Sequence, residues 1–172
     1  MATREEASPG WAVLQVRRRF QAPREQVFQA WTDPELLRHW LHGYAGRSPH
    51  AEADVRVGGE FRITSTARGG KFLSKVLRDP SGEFVQMVGR YLEIRPPERL
   101  VFTMGWEDFP TVNMDPDATT VTVEFNEADG GTEVVLTHER QPSRRIRSFH
   151  WIGWKGSFRN LDRLLRESPA KS

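Results

Sequence analysis

The chain has 172 residues, 37% of them hydrophobic and 28% charged, with 25 Lys and Arg against 23 Asp and Glu. That length suits one domain with one sizeable core, and the formal charge of +2, with acidic residues spread among the basic ones, argues against a nucleic-acid binder. Cysteine is absent, which excludes disulfides, thiolate catalysis and cysteine-based zinc sites and fits a reducing compartment.

Met1 to Gly10 is polar and lacks the basic start and apolar run of a signal peptide. No stretch approaches the ~20 apolar residues of a membrane span, so a cytoplasmic protein is expected. From Trp11 to Phe20, Leu14, Val16 and Phe20 alternate with Gln15, Arg17 and Arg19, the period of a half-buried strand. Ala22-Pro23 stops it. Val27, Phe28 and Trp31 then recur at helical spacing. A second short helix follows, with Asp33 as its cap, Pro34 at its first position and Leu36, Leu37 and Trp40 inside.

After a Gly, Ser and His-rich loop from Leu41 to His50, strand signals dominate. Val55 and Val57 lead into Gly58-Gly59, a tight turn or bulge, and Phe61 and Ile63 alternate beyond it. Lys71 to Arg78 predicts a weaker strand, ended by the turn Asp79-Pro80-Ser81-Gly82. Phe84 to Ile94 is a long strand with apolar residues on both faces, so the pattern leaves its inward face open. Leu100 to Trp106 follows Pro96-Pro97, and Thr119 to Phe125 and Thr132 to His138 make a hairpin. From Ser143 to Arg166, His150, Trp154, Phe158, Leu161 and Leu165 form one helical stripe, with Lys155, Arg159, Asp162, Arg163 and Arg166 on another. No repeat or linker interrupts the chain. A single domain over residues 11–166 is expected, with flexible termini at 1–10 and 167–172.

The order of one strand, two short helices, six strands and a long helix is that of an α+β helix-grip fold, in which a curved antiparallel sheet of about seven strands wraps around the C-terminal helix. Short patterns sharpen the likeness: Arg19-Phe20-Gln21-Ala22-Pro23, Ala30-Trp31-Thr32-Asp33-Pro34, Trp40, Asp54-Val55-Arg56-Val57-Gly58-Gly59, Gly89-Arg90-Tyr91-Leu92-Glu93-Ile94, Pro96-Pro97-Glu98-Arg99-Leu100, Gly131-Thr132, Leu136-Thr137-His138-Glu139 and Gly153-Trp154. Over roughly residues 11 to 166 the chain resembles homologues of the activator of the heat-shock protein 90 ATPase, in the START-like or SRPBCC superfamily. The resemblance implies a cavity between sheet and helix that holds lipids, hormones, polyketides or other apolar molecules. Some branches add catalysis. The matched residues here are mostly glycine, proline and tryptophan, which mark turns, helix starts and packing more than chemistry.

Several residues are candidates for a function. His39 and His42 could share a helix face, but a metal needs a third ligand and supporting partners, and nothing like His-Glu-x-x-His is present. No metal or cofactor is expected. His138, ending an apolar strand face, could bond a ligand or titrate near neutrality; the plainer reading is a satisfied structural histidine. Glu93 within an apolar strand would need an arginine partner if it faced inward. Gly69-Gly70-Lys71 lacks the rest of a phosphate-binding loop, and a hairpin turn explains it better. Arg144, Arg145 and Arg147 could meet an acidic partner, with a solvated helix start as the default. Trp31, Trp40 and Trp154 are read as core, although one with part of its ring facing a cavity would make a good ligand wall.

The expected function is binding of a small hydrophobic ligand, as carrier, sensor or sequestering protein, without obligatory catalysis. The expected site lies between the sheet and the long helix. It comprises Phe102, Met104, Trp106, Val121, Val123, Leu136, His138, Phe149, Gly153 and Gly156, a pocket of a few hundred Å³ on the usual scale of such sites. The segment Glu107 to Asp117 is long for a connection and is expected near the mouth. Two alternatives stay open: a co-chaperone partner of a heat-shock protein 90 homologue, and a cyclase or aromatase acting on a polyketide-like substrate. The eukaryotic activators carry a separate domain before this module, for which 172 residues leave no room. A homo-oligomer is compatible with the sequence.

Overall fold

The computed structural model describes residues 9–41, 50–66, 84–109, 112 and 114–168. A short 3-10 turn (Gly10–Ala12) leads into β1 (Leu14–Phe20), α1 (Arg24–Thr32) and α2 (Pro34–Trp40). Then come β2 (His50–Ala53), β3 (Glu60–Thr66), β4 (Phe84–Arg95), β5 (Arg99–Glu107), β6 (Met114–Ala128), β7 (Gly131–Glu139) and the final helix α3 (Arg144–Glu167). The strands form one curved antiparallel sheet in the order β1-β7-β6-β5-β4-β3-β2. The expected helix-grip architecture is therefore present. The strand expected at Lys71 to Arg78, the Gly69-Gly70-Lys71 turn, His42 and residues 1–8 and 169–172 lie outside the described residues.

The helix starts follow local chemistry. Asp33 Oδ1 accepts the backbone N–H of Glu35 at 2.9 Å, capping α2, with Pro34 at its first position. Ser143 Oγ likewise accepts the Ile146 N–H at 3.2 Å and starts α3. The indole N–H of Trp40 donates to the Ala30 carbonyl at 2.8 Å, which fastens α2 to α1. Trp31 sits at the centre of the core, with ring centroids 4.6 Å from Trp40, 6.0 Å from Trp154 and 6.1 Å from Phe158. The apolar stripe of α3 is buried as its spacing predicts, through Trp154, Phe158, Leu161 and Leu165.

Two segments differ from the sequence reading, and a third settles what it left open. Val55 and Val57 do not enter a strand; they are 39% and 63% exposed in a turn after β2. Gly58 adopts φ 83° there, and the Gly58 N–H and Gly59 carbonyl bond the backbone of Tyr91, which pulls the turn against β4. The segment Glu107 to Asp117 is shorter as a connection than the sequence reading has it, because Glu107 ends β5 and β6 already begins at Met114, which pairs with Trp106 across a register shift. In β4 a bulge between Tyr91 and Glu93 resolves the two-faced pattern. Met87 and Tyr91 point into the core before it, and Ile94 packs against the core after it. Glu93 is thereby turned out to Arg99 at 3.3 Å and Arg95 at 3.8 Å, so it is an ion-paired surface residue.

Candidate functional site

Two arrangements carry polar chemistry into the apolar interior. The first is a cleft at the β2 side of the sheet. Its walls are Trp31 of α1, Leu37 and Leu41 at α2, Phe61 and Ile63 of β3, Met87 and Tyr91 of β4, and Leu100 and Phe102 of β5. Its cavity volume is about 10 Å³, room for roughly one water. Trp31 is 2% exposed, and its indole N–H has no hydrogen-bond partner among the described residues. By contrast, Trp40, Trp106 and Trp154 all donate theirs. Tyr91 is 3% exposed, and burial pushes its phenol up to about 12. It therefore stays protonated near neutrality. An apolar cleft with one unused donor and one neutral hydroxyl-bearing ring suits a neutral molecule with an acceptor.

The second arrangement is a buried polar chain between β5, β6, β7 and α3. Trp154 Nε1–H donates to His138 Nδ1 at 3.1 Å, and His138 Nε2 lies 2.8 Å from Thr119 Oγ1. Thr119 Oγ1–H in turn donates to the Met104 carbonyl at 2.7 Å. Since Nδ1 accepts, the His138 proton must sit on Nε2. Trp106 Nε1–H donates to His150 Nε2 at 3.0 Å, so His150 carries its proton on Nδ1 and donates to Gln141 Oε1 at 2.7 Å. That tautomer also fixes the Gln141 amide, whose buried Nε2 has no partner among the described residues. Each ring is therefore a neutral imidazole with both nitrogens committed. Burial lowers His150 to about 3, and burial, with the nearby His150, holds His138 well below its ordinary value.

The ten residues expected to form the site are divided among several places. Phe102 lines the cleft, while Met104, Val121, Val123 and Leu136 are fully packed in the main core. His138 belongs to the polar chain. Trp106 and Phe149 pack with Phe109 in a smaller cluster, with pairwise ring centroids of 5.5 to 5.6 Å. These rings fill the ground between the start of α3 and the β5–β6 connection. Gly156 is buried and Gly153 half-buried, with no described residue within 4 Å of where a Gly153 Cβ would stand. Among the described residues, no group of three His, Asp or Glu could hold a metal ion. Sequence reasoning named Trp31 only as core or as a ligand wall in general, and missed Tyr91 as a cleft wall and Thr119, Gln141 and His150 as members of the chain. The available signal was His150 itself, a histidine on a buried helical stripe that must find partners.

The sequence profile of the Activator of Hsp90 ATPase homolog 1-like protein family matches residues 21–166. The chain belongs to this family. Its fold recurs in a crystal structure of a Nitrosomonas europaea protein, 22% identical, with TM-score 0.70 over 92% of this chain and 97% of that one. A Rhodobacter sphaeroides protein is 23% identical, with TM-score 0.71 over 95% and 99% of the two chains. The solution structure of the AHSA1-like protein from Aeromonas hydrophila is 22% identical, with TM-score 0.67 over 90% and 92%. At such identities the likeness shows the fold alone. No curated protein matches the chain in sequence. The helix-grip fold of this family is compatible with small-ligand binding and related roles.

Proposed function

We propose that the protein binds a small apolar molecule bearing a hydrogen-bond acceptor in the cleft between α1, α2 and strands β3 to β5. It would act there as carrier, sensor or sequestering protein, without obligatory chemistry. The carrying observation is that Trp31 lines the cleft while its buried indole N–H has no partner among the described residues. An unmade hydrogen bond of this kind costs about 1–3 kcal/mol, which a ligand oxygen would restore. The cleft must widen to admit a ligand, and Met87 and Leu37 are walls able to change rotamer. Of the residues first expected to hold the ligand, Phe102 is the one this proposal keeps.

Two features weigh against the cyclase reading. Acid–base catalysis needs a group with an available proton or lone pair within reach of the substrate. Both His138 nitrogens are hydrogen-bonded inside the core, and Glu93 is paired with arginines on the outer face. The test is a thermal-shift panel of fatty acids, sterols and aromatic polyketides on the parent and on Trp31→Phe, which keeps a ring but loses the donor. Acceptor-bearing ligands should raise the parent's melting temperature and bind the variant about fivefold to tenfold more weakly. A panel in which nothing binds would remove the ligand reading. Equal binding by the variant would remove Trp31 from it.

A further inference from the structure

The near-neutral whole chain conceals a strongly basic helix. α3 carries seven cations and two carboxylates, an excess of five, whereas the whole chain has an excess of two. The remainder of the protein therefore has three more carboxylates than cations. Burial sorts these charges further. The nine exposed residues of α3 are six cations (Arg144, Arg145, Lys155, Arg159, Arg163 and Arg166), with Ser148, Trp151 and Glu167. At 100° per residue the six cations fall within about a third of the helix circumference. The mid-helix carboxylate, Asp162, is already shared between Arg18 at 3.2 Å and Arg166 at 3.0 Å.

This stripe works against the helix that carries it. Lys155, Arg159 and Arg163 are spaced four apart, the separation at which like charges repel along a helix. Arg144 and Arg145 stand in the first turn, which has no acidic residue, although the helix dipole disfavours cations there. At the edge of the stripe, between Arg145 and Lys155 along the helix, stands Trp151, 42% exposed, with Lys155 Nζ 4.2 Å from its ring centroid.

From this charge asymmetry and the Trp151 anchor we infer that the solvent face of α3 docks on an anionic lipid surface. A helix of 24 residues lies along that surface for roughly 36 Å. Its inner face is buried along its length by Trp154, Phe158, Leu161 and Leu165, so it can offer only a strip to a flat partner. A DNA major groove, by contrast, receives a whole helix. Tryptophan sits well at headgroup level, and basic side chains near an anionic leaflet are individually attracted to it. Among the described residues no helix is long and apolar enough to cross a membrane, so the contact is peripheral. The surface is separate from the cleft, and its test does not depend on the ligand reading.

The experiment is co-sedimentation with vesicles of phosphatidylcholine alone and of phosphatidylcholine with phosphatidylserine, at low and high salt. Duplex DNA and polyglutamate serve as competing partners. The parent should partition to the anionic vesicles, and high salt should release it. Lys155→Glu with Arg163→Glu should weaken partitioning about tenfold or more, and Trp151→Ser should weaken it less. Thermal unfolding checks that each variant is folded, and Lys155→Gln with Arg163→Gln replaces the reversed pair if folding suffers. The inference is overturned by equal partitioning to neutral and anionic vesicles, or by a charge-reversed variant that binds as well as the parent. Binding of duplex DNA or polyglutamate without vesicle binding also overturns it.

Discussion

The imidazoles of His138 and His150 lie with centroids 4.5 Å apart and planes tilted by 32°, and neither can accept a proton without losing a bond to tryptophan. A second proton would put a charge in a buried site beside another histidine. Both folded-state values are depressed, so the native protein resists protons that the unfolded chain takes up near pH 6.5. The stability this contributes is complete above about pH 6.5 and falls as pH drops below it, until the folded value is reached. With His150 lowered to about 3, its share of the loss between about pH 7 and pH 5 is about 2 kcal/mol, and His138 adds to it in the same direction. Urea midpoints across that range should record the decline. His138→Gln can still accept from Trp154 and donate to Thr119, so it should fold and show a shallower decline. A parent midpoint that stays flat from pH 7 to 5 would refute the neutral pair.

Trp154 combines packing with that polar chain. It is 3% exposed, stacks on Trp31, meets Phe158 edge-on, and is the donor to His138 Nδ1. Trp154→Ala should cost about 3–5 kcal/mol as an emptied aromatic site, at the upper end because His138 also loses its donor. Lys155, the next residue, faces solvent and touches the Trp151 ring. Lys155→Ala should change stability by no more than about 0.5 kcal/mol. Denaturant unfolding that gave the two variants similar small effects would contradict the facing of α3.

Elements whose signal is local were legible in the sequence. The stripe of α3, the alternation of Leu14, Val16 and Phe20, and the Asp33-Pro34 start each depend on neighbours within a few residues, and each stands where the pattern puts it. What was hidden depends on distant pairing. The β4 bulge reverses which residues face inward after Tyr91, and nothing in Gly89-Arg90-Tyr91-Leu92-Glu93-Ile94 announces it. The β5–β6 connection looked long because Met114 pairs with Trp106 only through a register shift. The cleft was out of reach for the same reason, since it needs Trp31, Tyr91 and Phe102 brought together from α1, β4 and β5. The basic helix face was half visible: its cations were legible, but their gathering on one exposed strip required knowing which residues are exposed.

The glycines separate close approach from mere absence of a side chain, and two single substitutions measure the difference. Gly89 lies in β4 with the Thr103 carbonyl of β5 and the Phe61 ring of β3 so near that a Cβ built on it would overlap the Thr103 oxygen. Thr103 also accepts the Arg90 N–H at 3.0 Å, which holds the two strands in that register. The obstacle is backbone, so Gly89→Ala must spread β4 from β5 and disturb the strands that carry Tyr91 and Phe102. A loss of about 1–3 kcal/mol is expected, the usual cost of overpacking. Gly153 is also a regular-structure glycine, but no described residue stands within 4 Å of its Cβ position, and its φ is not in the left-handed region. There alanine adds no clash and removes unfolded-state freedom. Gly153→Ala should therefore stabilise by about 0.4–1 kcal/mol. Thermal and urea unfolding of the two variants should move in opposite directions from the parent. Destabilisation by Gly153→Ala would mean that α3 is held closer to a neighbour than this geometry allows, and that its glycine serves contact after all.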